Sequence, residues 1–130
     1  MKSINLGEFY LTVPDNWDSE VDGNIVSLFD RYNGFGALQF SFYSVSNIDS
    51  IDLRKELQEY LLDKHGNIDV DLINDYAYFD VTIDGIYWRY WLLKAIKNIV
   101  FISYNCDPVD IDKEKIIINN IINSMLPQPG

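Results

Sequence analysis

The residues with the clearest catalytic potential are the only histidine, His65, and the only cysteine, Cys106. A nucleophile activated by an imidazole base would have to use His65. His65 precedes Gly66 at the predicted end of a helix, where an imidazole interacts favourably with the helix C-terminus, and this capping role is the prediction. Cys106 ends a predicted strand just before Asp107. A thiol near a helix N-terminus can have a lowered pKa, but a small buried apolar side chain is the favoured interpretation. We therefore expect a protein that is not an enzyme.

Metal and phosphate chemistry have little support in the sequence. A structural zinc site needs four cysteine or histidine ligands, and the chain has two such residues in total. The carboxylate pairs Asp69 with Asp71 and Asp110 with Asp112 lack the glycine and the distal glutamate of a calcium-binding EF-hand loop. No glycine-rich phosphate loop precedes a helix. The expectation is no metal site and no cofactor.

The charge balance restricts the class of partner. The chain carries 20 acidic and 10 basic residues, a net charge of -10. Nucleic acids and anionic membrane surfaces both need clustered positive charge, so we expect neither as a partner. The acidity either keeps the protein in solution or attracts a basic protein partner. A single cysteine excludes an intramolecular disulfide, and residues 1–14 contain no apolar signal segment, so the expected location is the cytoplasm.

The pattern of apolar residues predicts one α+β domain over residues 1–130. Periodicity and turn residues predict the following strands: Glu8–Val13, Ile25–Asp30, Gly36–Val45, Ile68–Ile73, Tyr76–Ile83, Ile86–Ile96 and Ile99–Cys106. The predicted turns are Asp15-Asn16-Trp17-Asp18, Asp22-Gly23-Asn24, Asn33-Gly34 (type I′), Asn74-Asp75, Asp84-Gly85 and Lys97-Asn98. Trp17 is predicted to fold back from a loop onto the edge of the core.

Two helices are predicted. The first is capped by Asp49 or Ser50, has Asp52 in its first turn and ends at Gly66. The last is entered through Asp107–Asp110 and ended by Pro127 and Pro129; its apolar stripe includes Ile111, Glu114, Ile118, Ile121, Ile122 and Met125, broadened by Ile116 and Ile117.

The stretch Ile86–Cys106 predicts how these elements pack. Alternate residues place Trp88, Tyr90 and Leu92 on one face of a strand, and Tyr87, Arg89, Trp91 and Leu93 on the other. Strands that are apolar on both faces are covered on both faces. We therefore expect an antiparallel sheet of six to seven strands with one helix on each side, a three-layer α/β/α sandwich. If both helices shared one face, the exposed aromatics would form a ligand groove or a subunit interface.

The chain resembles the PsbP-like superfamily of small α/β/α domains. The resemblance rests on Val13-Pro14-Asp15-Asn16-Trp17 after the first strand and on Gly36-Ala37-Leu38-Gln39-Phe40-Ser41 in the third. The Asp84-Gly85 hairpin and the closing helix with Glu114, Ile118, Ile121, Ile122 and Ser124 also fit. This superfamily includes an extrinsic photosystem II subunit, a Ran-binding nuclear import factor and chaperone-like partners of secreted toxins. The resemblance implies a binding or assembly role, and it carries over no functional residue.

Arg89, between Trp88, Tyr90 and Trp91, has two interpretations: a stem packed beneath a helix with its head in water or on a carboxylate, or an interface anchor. The leading hypothesis is a non-catalytic protein-binding module, immunity-like or chaperone-like, with a toxin as partner. The candidate partner-binding residues are Tyr43, Tyr87, Arg89 and Trp91. The alternative is a domain that binds a small apolar ligand between sheet and helix. The sequence leaves open whether the protein forms a homodimer. Exposure of these side chains on a sheet face would favour the first hypothesis, and an enclosed aromatic cavity the second.

Overall fold

A computed structural model describes residues 1–7 and 9–127 and contains a large antiparallel sheet with one helix on each face. The seven strands of the large sheet are β3 (Trp17–Asp22), β4 (Ile25–Asp30), β5 (Gly36–Ser44), β6 (Asp71–Ile73), β7 (Tyr76–Ile83), β8 (Ile86–Lys94) and β9 (Asn98–Cys106), in the order β3-β4-β5-β9-β8-β7-β6. The helices are α1 (Leu53–His65) and α2 (Lys115–Asn123). The predicted α+β sandwich is confirmed.

A second, smaller sheet lies beside α2. It consists of β1 (Lys2–Asn5), β2 (Phe9–Val13) and β10 (Leu126–Pro127), with β2 in the middle. Ser124 joins this sheet to the end of α2, because its hydroxyl accepts a hydrogen bond from the Thr12 amide at 2.8 Å. Leu11 and Val13 of β2 are fully buried, so the small sheet covers the part of the core that α2 leaves open.

The central strands β8 and β9 have the predicted alternation. On the α2 side, Trp91 and Ile102 lie opposite each other in register and join a core that also contains Trp17, Phe40 and Ile118. On the α1 side, the core consists of Leu53, Leu57, Leu61, Val70, Ala77, Tyr90, Leu92 and Ile99. Burying one large apolar side chain contributes roughly 1.5–3 kcal/mol to stability. The cores on both faces of the sheet therefore stabilise the fold.

The first helix begins later than its predicted caps. Asp49 and Ser50 belong to a separate 3₁₀ turn, Ile48–Ser50, and Asp52 is the residue that caps α1, since its carboxylate accepts a hydrogen bond from the Lys55 amide at 3.3 Å. The predicted end is correct: Gly66 has a φ of 71° and its amide donates to the Leu62 carbonyl at 2.9 Å. A positive φ is easily adopted only by glycine.

The second helix also begins later than predicted. Asp107 caps a 3₁₀ turn, Pro108–Asp110, and α2 starts only at Lys115. The buried Glu114 precedes it and accepts a hydrogen bond from the Tyr104 hydroxyl at 2.7 Å. Of the predicted apolar stripe, Ile118, Ile121 and Ile122 are buried, and Ile111, Ile117 and Met125 pack against them. Ile116 is exposed, which corrects its assignment to the stripe.

The end of α2 and the start of the first predicted strand also need correction. The helix ends at Asn123, so Pro127, which lies in β10, does not end it. Pro129 and Glu8 lie outside the described residues. No helix within the described ranges is both long and apolar enough to cross a membrane.

Three of the six predicted turns are confirmed. The turn predicted over Asp15-Asn16-Trp17-Asp18 is confined to Asp15 and Asn16, because Trp17 begins β3 and does not lie in a loop. Asp84 and Gly85 both have positive φ, as a two-residue hairpin requires. Asn33-Gly34 is not such a turn, because the loop has five residues, 31–35, and the Asp30 carboxylate organises it by accepting the Tyr32 and Asn33 amides at 3.1 Å. The turn between β8 and β9 is centred on residues 96–97, one residue earlier than predicted, and the Ala95 amide closes it by donating to the Asn98 carbonyl at 2.8 Å.

Candidate functional site

An open cleft lies between α2 and the strands β6, β7 and β8, on the α2 side of the sheet. Its volume is about 350 Å³. Eight described residues line it: Ile73, Tyr76, Tyr78, Arg89, Trp91, Asn119, Ile122 and Asn123. We call it the Arg89 cleft. Its floor is aromatic, its rim on α2 is polar, and Arg89 is the charged residue among the eight.

Simple periodicities bring these side chains together. Tyr76 and Tyr78 are two residues apart on β7, so both point to the same face, and Tyr78 lies opposite Trp91 of β8 in the ladder. Asn119 and Asn123 are four residues apart on α2 and therefore share one side of the helix. The cleft thus lies where one helix face meets one sheet face.

Arg89 is held in place by neutral groups. Only 6% of the residue is exposed. Its Nε donates to the Tyr78 hydroxyl at 3.0 Å, and its Nη2 donates to the Asn119 side-chain oxygen at 2.7 Å. The guanidinium carbon lies 4.6 Å from the centre of the Trp91 ring, within the range of a cation–π contact. The third nitrogen, Nη1, is buried and has no hydrogen-bond partner among the described residues. The head therefore reaches neither a carboxylate nor open water.

Tyr78 and Tyr87 both lie near Arg89, and Tyr87 has a hydrogen-bond partner outside the cleft. The Tyr87 hydroxyl donates to the Asp80 carboxylate at 2.9 Å. Burial raises the pKa of Tyr78, although the charge of Arg89 acts in the opposite direction, and burial together with the bond to Asp80 raises the pKa of Tyr87. Both hydroxyls are therefore protonated at neutral pH. The Tyr78 hydroxyl is therefore a neutral acceptor for the hydrogen bond from Nε of Arg89.

The four candidate partner-binding residues do not form one surface. Tyr87, Arg89 and Trp91 are all buried, so the expected exposure on a sheet face is not met for these three; Arg89 and Trp91 nevertheless border the cleft, and Tyr87 lies next to it. Tyr43 is 42% exposed but lies on the other face of the sheet, where its ring packs edge-on against Tyr60 of α1 at 5.8 Å. An interface that uses Arg89 through this cleft cannot include Tyr43.

The structure does not bring His65 and Cys106 together. The His65 ring lies on the α1 side, with its Nε2 2.8 Å from the Tyr90 hydroxyl, and burial and the neighbouring Lys64 lower its pKa. Its ring bonds to the sheet and not to the last carbonyls of the helix. Cys106 is buried in the α2-side core, where burial raises the pKa of its thiol. The sheet separates the two groups.

Metal ligation also lacks a cluster among the described residues. Within residues 1–7 and 9–127, no group of three or more histidine, cysteine, aspartate or glutamate side chains could hold a metal ion. The two aspartate pairs of the sequence therefore have no third ligand in that part of the chain.

Sequence reasoning missed most of the cleft. The parity of Tyr76 with Tyr78, and the spacing of Asn119 with Asn123, can both be read in the sequence. The position of α2 over the sheet cannot, because it depends on contacts between residues far apart in the chain. Arg89 and Trp91 are predicted because tryptophan, tyrosine and arginine, the usual anchor residues of interfaces, lie together in one apolar strand.

Comparisons with known proteins yield a fold and nothing finer. No protein-family model matches the chain, and no curated protein matches it. Among solved structures, the chain is similar to cyanobacterial PsbP (CyanoP) from Synechocystis, with a TM-score of 0.59 and 12% identity over 98% of this chain and 91% of that one. The chain has a PsbP-like fold. The predicted resemblance is confirmed at this level.

The same PsbP-like arrangement is found in a protein of Bacteroides thetaiotaomicron, with a TM-score of 0.62 and 11% identity. The match covers 95% of this chain but 46% of the Bacteroides chain, so this protein spans about half the length of that relative. At 11–12% identity, both similarities describe the path of the backbone and transfer no site residue.

Proposed function

We propose that the protein is a non-catalytic binding module that holds a segment of a partner protein in the Arg89 cleft. The observation that carries this proposal is the composition of the cleft. Tyrosine, tryptophan and arginine are the residue types concentrated at the energetic centres of protein interfaces, and here they line one open recess. The hydrogen bond from Nε to Tyr78 already holds Arg89 in place, so binding would order few additional side chains.

The charge of the whole chain favours a basic protein as partner. The net charge of -10 would steer a positively charged surface towards this protein. Charge far from the contact mainly affects the association rate, whereas contacts inside the cleft determine how long the complex lasts. The superfamily resemblance suggests a toxin that this protein would accompany as a chaperone. The alternative role, neutralisation of the toxin, is an analogy with small acidic immunity proteins. The single buried cysteine is consistent with the cytoplasm as the proposed location.

A small apolar ligand is the second candidate. The cleft volume of about 350 Å³ falls at the lower end of the roughly 300–1,000 Å³ found for ligand pockets. The aromatic floor would suit such a ligand. The cleft is open to solvent, however, and an open cleft suits a chain segment better than an enclosed small molecule.

A pair of matched substitutions tests the proposal. Ile73 at the cleft and Ile83 at the far end of β7 are 39% and 40% exposed. Each lies beside a two-residue turn, and about 23 Å of strand separates the two regions. Ile73→Asp places a charge at the mouth of the cleft, and Ile83→Asp adds the same charge elsewhere.

We expect tagged wild-type protein and Ile83→Asp to recover the same specific partner from the native host, and Ile73→Asp to lose it. Quantitative mass spectrometry measures the recovery, and circular dichroism checks that both variants are folded. Equal recovery by the two variants, or recovery of abundant chaperones alone, would contradict the proposal.

A further inference from the structure

The cleft has an electrostatic character opposite to that of the chain. The protein contains 20 acidic residues, yet none of the eight described residues that line the cleft is acidic. Arg89 is the one charged side chain among them, and it is more than nine-tenths buried. A cation in this setting attracts an anion, because nearby protein atoms screen its charge less than water does.

Arg89 has no counterion among the described side chains. Its hydrogen-bond partners are a hydroxyl and an amide oxygen, and Nη1 has no partner. Asp80 lies directly opposite Arg89 in the β7–β8 ladder, but its carboxylate accepts a hydrogen bond from Tyr87. Buried charges in proteins are nearly always paired or fully hydrogen-bonded, so an unpaired guanidinium beside an open cleft points to a missing anionic partner.

We infer that the Arg89 cleft receives a carboxylate of the bound segment, with an adjoining apolar side chain packed against Ile73 and Tyr76, which are more exposed than Trp91. This inference rests on the proposed function and names the chemistry that the cleft selects. A carboxylate matches the planar guanidinium better than other anions of a polypeptide do, since it accepts two parallel N–H bonds. Nη2 now donates to Asn119, and a carboxylate that replaces this amide oxygen would also bond Nη1.

The net negative charge of the protein does not prevent this contact. At physiological ionic strength, charges more than about 8 Å apart in solvent are largely screened. The contact with Arg89 is direct and partly shielded from water. Its strength therefore depends on the nearby guanidinium and not on the distant acidic residues. The acidic exterior and the basic cleft would then act on different parts of one partner: a basic surface and an inserted carboxylate.

Small peptide analogues test the inference with the intact protein. The probes are N-acetyl-phenylalanine, its neutral amide, and N-acetyl-aspartyl-phenylalaninamide, titrated while the amide and indole resonances of ¹⁵N-labelled protein are recorded. We expect at least one of the two acids to bind roughly tenfold more tightly than the neutral amide, as for a hydrogen-bonded charge pair. The acid that binds more tightly shows whether a chain terminus or an acidic side chain is the source.

Two isosteric variants locate the effect. Asn119→Asp supplies a carboxylate to Arg89 from within the chain, so the preference for acids over the amide should disappear. Asn123→Asp adds the same charge to the same cleft rim one helical turn away, where no contact with Arg89 is described, and it should retain the preference. Both changes conserve side-chain volume, and thermal unfolding checks that both variants are folded.

Some results would overturn the inference. These are equal binding of acids and amide, no shifts with any of the three probes, or a preference that survives in Asn119→Asp. Such a result, with partner capture still lost in Ile73→Asp, removes the carboxylate and leaves the proposed function standing. If Ile73→Asp instead recovers the partner as well as Ile83→Asp does, while the protein clearly prefers the acids, the proposed function is wrong and the carboxylate preference of the cleft stands.

Discussion

Two tyrosine-to-phenylalanine substitutions should differ in cost because the acceptors of their hydroxyls differ in burial. Tyr104 donates to Glu114 at 2.7 Å, and the two residues are 2% and 3% exposed. Tyr87 donates to Asp80 at 2.9 Å, but Asp80 is exposed. Each change removes one hydroxyl and leaves the aromatic ring in place. The comparison therefore isolates what happens to the carboxylate that loses its donor.

The expected magnitudes follow from this difference. In Tyr104→Phe, a buried oxygen of Glu114 loses its donor, which costs roughly 1.5–3 kcal/mol. In Tyr87→Phe, water can replace the lost hydroxyl at Asp80, so the cost is at most about 1 kcal/mol. For a domain of this size, 1 kcal/mol corresponds to roughly 3–5 °C in the unfolding midpoint. Tyr104→Phe should therefore melt several degrees below Tyr87→Phe.

Urea unfolding followed by far-ultraviolet circular dichroism measures both costs. Equal dependence on urea in the three proteins would show that the unfolding transition itself is unchanged. The single variant Glu114→Gln and the double variant complete a cycle that measures whether the carboxyl group is a better partner for the Tyr104 hydroxyl than an amide that also accepts a hydrogen bond. Equal loss of stability in Tyr104→Phe and Tyr87→Phe would refute the reasoning, since burial of the acceptor would then have no effect.

Three further outcomes can be measured directly. In Gly36→Ala the new Cβ would clash with the Asn105 carbonyl oxygen, so the variant should lose roughly 1–3 kcal/mol in urea unfolding; wild-type stability would contradict this. Burial and Lys64 lower the pKa of folded His65, so the unfolded state binds the proton first. Stability should then fall as the pH drops below about 6.5, by at most about 1.4 kcal/mol per pH unit, and less so in His65→Gln; parallel pH profiles of the two proteins would exclude this. Burial raises the pKa of Cys106, so a disulfide reagent should modify it only after urea unfolds the chain, and rapid reaction of the native protein would contradict the buried position.

The sequence predicted the strands whose two faces are both apolar. In β8 and β9 large apolar side chains occupy alternate positions along the whole strand. The structure places the two alternating sets in the cores on the two faces of the sheet, as predicted. Strand β3 was not predicted because Asp18, Glu20 and Asp22 make it look like a loop. It is an edge strand whose exposed residues need no apolar alternation, and charged residues on an edge strand discourage pairing with other chains.

The candidate site was predicted only in part because register cannot be read from a single strand. Parity within β8 correctly grouped Tyr87, Arg89 and Trp91. Tyr43 was added from β5, but Tyr43 pairs with Ile99, which faces α1. A shift of one residue between strands moves a side chain to the other face of the sheet. The start of α2 was misplaced for a related reason: Glu114 is fixed by Tyr104, a contact that local helix signals do not contain.

The three tryptophans are divided between the two sides of the sheet. Trp17 and Trp91 lie in the α2-side core, whereas Trp88 lies among aromatic rings on the α1 side, with the Lys64 ammonium 3.2 Å from its ring centre. Each layer therefore has its own natural fluorophore. Removing Trp88 would leave emission from the α2 layer alone, and removing Trp17 and Trp91 would leave emission from the α1 layer alone. The intrinsic fluorescence of this chain can thus show whether the two layers lose their packing in one event or in two.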